Sequence, residues 1–458
     1  MHYKKLKTPL FKTIYRGLLI SSPQYFTSPT PVLLLCAKFM KSMINGILAL
    51  VFVKMLSLSA VADVVELKNL LKDSLDSAPE VQEAYANYQA AQSNVSAAEA
   101  GHYPVVSLMG TQPLAQQHKY ESNAMESGFH LGTKATMNIY SWGGIEAGVD
   151  REQSKQSYYE NQYILSQEDI SVRISQLYLQ VLRHKETLDV IDENLVRHHQ
   201  IAKQLTTIVQ HDSGRMSELT QVKARTLKVE MSRAETERNL NLALSQLSIL
   251  TQRQLTVDQF VDPFRSTTSG VILARFQDDN LENNPSYKAQ VADAQSLDAD
   301  VKVASAMRKP ALNLEVSATP DNSEVFLRVS WNIFDQASYY SQAQKEYALS
   351  AANERIKKTF REIKEMSQSA AINMAQSEKQ GNIAKAYIAE QKVVISNYEK
   401  QFTINRRTLI DLLDAYNELA SIQTSAVILQ NDFRDATLNY LSVQAKMSAW
   451  MNQELASR

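Results

Sequence analysis

His198 and His199 come closest to a metal-ligand pair in this chain, and Asp192 and Glu193 to an acid–base pair. Neither arrangement supports chemistry. Neighbouring helical residues project in different directions, so two adjacent carboxylates cannot converge on one proton. His198 falls on a heptad seam and His199 lies beside it, so packing and surface roles account for them. His184 is a seam position as well, placed to tune helix pairing. The glycines at 143, 144 and 148 lack the G-x-G-x-x-G spacing of a dinucleotide loop and follow an amphipathic strand. No P-loop, H-E-x-x-H or G-x-S-x-G sequence occurs. An enzyme, a cofactor and a metal centre are therefore not expected. The formal charge of −1 leaves no basic footprint for nucleic acid.

The elements carrying these residues are unusual. The chain has 458 residues, enough for roughly two to four domains, yet only 12 Gly and 11 Pro. Its mean hydropathy of −0.30 and 8% aromatic content favour long polar helices over a compact α/β core. Two stretches, 143–208 and 335–402, contain no proline and predict helices of roughly 100 Å each. In the first, Ile170, Leu177, His184, Ile191, His198 and Leu205 recur every seventh residue. Ile174, Val181, Leu188, Leu195, Ala202 and Val209 do the same. Such 4-3 spacing predicts coiled-coil packing. The last helix is expected to carry a similar seam from Leu412 through Tyr416, Leu419 and Ile422 to Met447 and Trp450.

The chain also repeats itself. Pro79 and Pro285, and Pro104 and Pro310, stand the same 206 positions apart. Each pair brackets a helix, and each helix is followed by a predicted strand pair. In the second half Leu312, Leu314, Val316 and Ala318 alternate with Asn313, Glu315 and Ser317. After a turn at residues 320–322, Val325, Leu327, Val329, Trp331 and Ile333 alternate with Glu324, Arg328, Ser330 and Asn332. In the first half Leu131, Ala135, Met137 and Ile139 alternate with His130, Lys134, Thr136 and Asn138, after a longer loop over 116–127. Period two with one apolar face means strands with one dry side. At about ten residues each they could cross a bilayer when tilted, or form one face of a small soluble sandwich. Trp142, Tyr140, Trp331 and Phe334 at the strand ends suit an interfacial aromatic girdle, or ordinary packing. Four strands from one chain cannot sit open in lipid, because their edge N–H and C=O groups would lack partners. If they span, they must close with strands of other copies, and three chains would give a 12-stranded barrel. Glu315, Arg328, Lys134, Asn138 and Asn332 would then face its lumen.

The expected organisation is a signal-peptide region over 1–62, a first repeat over 63–252, a linker over 253–277 and a second repeat over 278–458. Lys41, the apolar run Ile44 to Leu58 and Ala60-Val61-Ala62 predict export with cleavage before Asp63; a retained membrane anchor is the alternative. Translation starting at Met40 or Met43 rather than Met1 would explain residues 1–39. Leu34-Leu35-Cys36 lacks the small residue of a lipobox. The mature chain would hold no cysteine.

The segment FTINRRTLIDLLDA, from Phe402 to Ala415, is similar to the G-x-R-T-L-L-D-x-L-D-A turn of the TolC family of outer-membrane exit ducts. Asn405 replaces the family glycine. The first-half counterpart, DSGRMSEL from Asp212 to Leu219, has Asp212 at the glycine position and Gly214 two residues late. With the repeat and the hairpins, the resemblance spans about residues 64–455. It implies an α+β membrane protein: a homotrimer whose 12-stranded β-barrel continues into a periplasmic α-helical coiled-coil tunnel. It implies the outer membrane of a Gram-negative bacterium, a periplasmic adaptor, and an inner-membrane ABC or proton-driven transporter as energy source. It places Asp411 and Asp414 in rings at the pore entrance, where they would favour cations, with ordinary solvated charge as the alternative. It makes Arg407 a gate lock, with Glu218 and Ser217 as its expected partners and Phe402 where the family can have a bonding tyrosine. The segment Tyr140 to Arg151, YSWGGIEAGVDR, looks like members serving type I secretion of large adhesins. That implies protein export; the outer-membrane component of a multidrug efflux pump is the alternative. A soluble periplasmic coiled-coil spacer or adaptor is the rival of another class.

Overall fold

A computed structural model of the protein describes residues 66–112, 114, 129–278, 280–320, 322–404 and 406–452, all within one compact unit, Val64–Arg458. The expected signal peptide, the tip of the first hairpin and Asn405 lie outside the described residues.

The two halves follow the repeat. The first runs α1 (Leu67–Leu75), α2 (Pro79–Glu99), β1 (Val105–Thr111), β2 (His130–Tyr140), α3 (Gly144–Val209) and α4 (Met216–Thr251). After α5 (Ser269–Phe276), the second runs α6 (Pro285–Met307), β3 (Ala311–Ala318), β4 (Ser323–Ser330), α7 (Gln336–Thr403), α8 (Leu409–Val443) and α9 (Met447–Met451). Pro79 and Pro285 occupy the first helical turn, where the missing N–H costs nothing. Pro104 and Pro310 each stand immediately before a strand, where the residue ahead of a proline is pushed to extended backbone. The proline-free stretches become single helices of 66 and 68 residues.

The four strands form one antiparallel meander in chain order, with β1 and β4 as its edges. Register joins the hairpins through β2 and β3, where Lys134 opposes Ser317 and Thr136 opposes Glu315. Cross-strand partners share a face, and the sheet sorts accordingly. Val106, Leu108, Ala135, Met137, Leu314, Val316, Val325 and Leu327 lie on one side. Ser107, Lys134, Asn138, Asn313, Glu315, Ser317, Glu324 and Arg328 lie on the other, with Val105, Met109 and Phe326 among them. The second hairpin is shorter than the alternation suggested. β4 ends at Ser330, so Trp331, Asn332 and Ile333 lie beyond the ladder. β2 bulges at Ile139, which shifts its register against β3.

Trp142 (φ 57°) and Gly143 (φ 77°) form a left-handed turn that redirects the chain from β2 into α3. In the second half Asp335 makes the same junction as an N-cap, accepting from Ser338 N at 3.2 Å.

Two apolar clusters hold the helices. One lies mid-length, where α1, the 253–277 connection and α9 pack on α3, α7 and α8. Phe260, Phe264, Ile272 and Phe276 of the connection are all buried there with Ile174, Leu179, Met374 and Leu441. The other lies near the helical turns: Ile201, Leu205, Leu219, Val222, Leu409, Leu412, Leu413 and Tyr416. The last helix does not run on to Trp450. Lys446 N donates to Leu441 O and Ala445 N to Ser442 O, a Schellman stop with Ala445 left-handed at φ 50°. The short α9 that follows has its N-terminus held by buried Glu168 of α3, which accepts from Met447 N (2.9 Å) and Ser448 N (3.1 Å).

Candidate functional site

The residues that the resemblance assigns to an entrance sit at and beside the two turns that join the long helices. In the first, Asp212 folds back to accept from Gly214 N at 3.0 Å, and one 3-10 turn, Ser213–Arg215, leads into α4. In the second, Thr408 caps α8. Asp411 N donates to Thr408 Oγ1 (3.2 Å), while Asp411 Oδ2 accepts from Thr408 N (3.1 Å) and Oγ1 (2.8 Å). This capping box is why a Thr stands three residues before an Asp here. The hydrogen bonds from Thr408, aided by the charge of Arg407, hold the Asp411 carboxyl below its usual range.

Arg407 stays on its own turn. Its Nε donates to Gln401 Oε1 at 3.1 Å, its guanidinium lies 4.4 Å from the Tyr398 ring centre, and Asp411 is 3.9 Å away. Its expected partner Glu218 is taken by Arg215, at 2.7 Å. Among the described residues of one chain, no bond joins Arg407 to Glu218 or Ser217. Phe402 is half-buried against the cluster near the turns. A tyrosine hydroxyl does bond nearby, from another position: Tyr416 donates to Glu399 at 2.5 Å.

Near the turns, an ion pair that the sequence pattern does not signal links the two helix pairs. Arg225 of α4 reaches Asp414 of α8 at 2.5 Å. One turn further along α8, Asn417 lies 3.3 Å from Nε2 of His198 on α3. His198 is fully buried, and its Nδ1 has no partner among the described residues. Burial holds His198 below the usual imidazole range, reinforced by Arg225, His199 and Arg197 and opposed by the Asn417 bond. His199 faces outward toward Glu230, 3.9 Å away, so the two histidines serve different surfaces. Nothing in the local sequence around Arg225 announces its role, because its partner is 189 residues away.

At the other end the polar face of the sheet carries two bonded groups. Glu315 binds Lys134 (3.3 Å) and Arg328 (2.9 Å), and Asn138 donates to Asn313 (2.9 Å). Asn332 lies beyond these groups, past the end of β4. Two of the three tryptophans, Trp142 and Trp331, lie where sheet meets helix. Trp142 Nε1 donates to Pro310 O (2.7 Å) and Trp331 Nε1 to Arg308 O (3.0 Å), both carbonyls at the α6–β3 junction. Tyr140 meets Trp142 edge-on at 5.2 Å.

The family model for outer membrane efflux protein matches residues 70–251. No curated protein sequence matches the chain. Among solved structures, the outer membrane protein VceC of Vibrio cholerae is 16% identical, with a TM-score of 0.71 over 83% of this chain and 96% of its own. The CmeC outer membrane channel of Campylobacter jejuni is 14% identical, with a TM-score of 0.71 over 86% and 87%. The MtrE outer membrane channel of Neisseria gonorrhoeae, solved in an open state, is 13% identical, with a TM-score of 0.70 over 83% and 89%. At these identities the likeness is one of fold. The expected TolC-like α+β architecture, long helices on a small antiparallel sheet, is the fold this chain has.

Proposed function

We propose that three copies of this chain close their sheets into a 12-stranded outer-membrane barrel and their helices into a periplasmic tunnel, making a passive exit duct. The observation that carries this reading is the four-stranded meander, apolar on one face and bearing the Lys134, Glu315 and Arg328 charges on the other, with both edge strands unpaired among the described residues. Among the described residues no helix is long and apolar enough to span a membrane, so any spanning falls to the sheet. Closure with other copies gives each edge N–H and C=O a partner and turns the Glu315 network inward.

The Tyr140–Arg151 segment favours type I secretion through an ABC transporter and adaptor. The match to the efflux-protein model over the first repeat favours a pump component instead. Purified protein in detergent should be a trimer that conducts ions in planar bilayers; a monomer without conductance overturns the duct. A chromosomal deletion separates the branches. Loss of a large secreted adhesin with unchanged drug susceptibility supports secretion, and the reverse supports efflux.

A further inference from the structure

We propose that Arg308 and Lys309, at the junction of α6 and β3, form a cationic site for the headgroup phosphates of anionic phospholipid, in the leaflet on the side of the helices. Bound lipid there would fix the depth of the sheet in the membrane. This rests on the duct reading.

Three observations lead here. First, the site stands at the edge of the face assigned to lipid. Tyr140, Leu312 and Val329 oppose one another across β2, β3 and β4, and Trp142 and Trp331 follow two residues beyond Tyr140 and Val329. Ile333 and Phe334, just past Trp331, are 82% and 85% exposed. Aromatic rings at such a border sit at headgroup depth. Second, both cations lie over aromatic rings of this border. Lys309 Nζ is 5.5 Å from the Trp142 ring centre, and the Arg308 guanidinium is 5.5 Å from that of Tyr339. A ring face positions a cation without cancelling its charge. Third, the two charges are uncompensated. Among the described residues neither Arg308 nor Lys309 enters an ion pair, and Arg308 donates to the neutral Gln342 at 2.8 Å. Asp335, the acid between Trp331 and Tyr339, caps α7 through Ser338. The other cations of this end are paired: Lys134 and Arg328 with Glu315, Arg151 and Lys345 with Asp300, and Lys302 with Asp298. Uncompensated basic side chains at headgroup depth attract anionic lipid.

The test uses the full-length protein in vesicles of phosphatidylcholine carrying a minor share of acyl-brominated phosphatidylglycerol or, in parallel, the same share of acyl-brominated phosphatidylcholine. Bromine quenches tryptophan fluorescence only at close range. Trp450, the third tryptophan, is buried in the mid-length cluster and adds a constant background. Quenching curves for wild type should show preference for the anionic lipid, by about fivefold for each basic residue. Arg308→Gln and Lys309→Gln should each remove one such factor, and the double variant should be quenched equally by both lipids. The tryptophan N–H bonds end on backbone carbonyls, so these changes leave the rings anchored. The charge-preserving Arg308→Lys with Lys309→Arg should keep the preference. A wild type without preference, or a double variant that retains it, overturns the proposal. So does a preference abolished by inorganic phosphate but not by chloride at equal ionic strength, which would make the site one for free phosphate. Absence of quenching by either brominated lipid overturns the duct reading as well; equal quenching by both confines failure to the headgroup site.

Discussion

Arg434 is the side chain this fold should tolerate losing least. It is 1% exposed on α8 and ties together three segments: Glu186 of α3 by two bonds, at 2.8 and 2.7 Å, and Asp262 of the connection at 2.8 Å. Removing one partner from a buried pair leaves uncompensated charge, at a cost of about 3–5 kcal/mol. Arg434→Ala should therefore lower the denaturant midpoint sharply, and a loss near 1 kcal/mol, typical of an ordinary substitution, would contradict the buried clamp. Residues of this kind are hard to read from sequence. Asp411 and Asp414 stood out because a local motif holds them. Arg225 and Arg434 look like ordinary helix-surface charges until helices far apart in sequence are brought together.

Elements were far more legible. Missing prolines set the lengths of α3 and α7, and a seven-residue repeat marked the seam of α3, because both signals are local and redundant over many turns. Less legible were features decided by a few backbone bonds. The stop at Ala445 rests on two short-range backbone bonds, while the bulge at Ile139 and the burial of the connection through Phe260 and Phe264 depend on tertiary partners. The α3–α8 seam also carries a pH consequence. His198 is held below its ordinary value of 6.5 chiefly by burial. Below about that pH the unfolded chain binds a proton that the folded seam refuses, so stability falls as pH falls. His198→Gln should make the pH dependence of the unfolding midpoint shallower between about pH 7.5 and 5. Parallel pH profiles for wild type and variant would show that the seam does not refuse the proton.

For the whole molecule, the deciding asymmetry is between the two faces of the sheet. Leu327 on β4 is 65% exposed although it is a large aliphatic side chain, and so are Val325 (68%), Val329 (65%) and Leu108 (68%) on the same face. In water a stripe of this kind promotes aggregation; in a bilayer it is the surface that lipid requires. Arg328 is next to Leu327 but on the other face, bound to Glu315 at 2.9 Å. A charge at a lipid-facing midplane position costs about 2–4 kcal/mol, while lumen positions tolerate charge. Leu327→Lys should therefore reduce insertion into vesicles and, on the proposed assembly, the yield of detergent-stable trimer, where three copies would multiply the penalty. Arg328→Lys, one residue away, should insert normally and alter only conductance. Equal insertion by Leu327→Lys and wild type would mean that this face does not meet lipid. The meander would then need a soluble partner, and the periplasmic coiled-coil reading would regain its place.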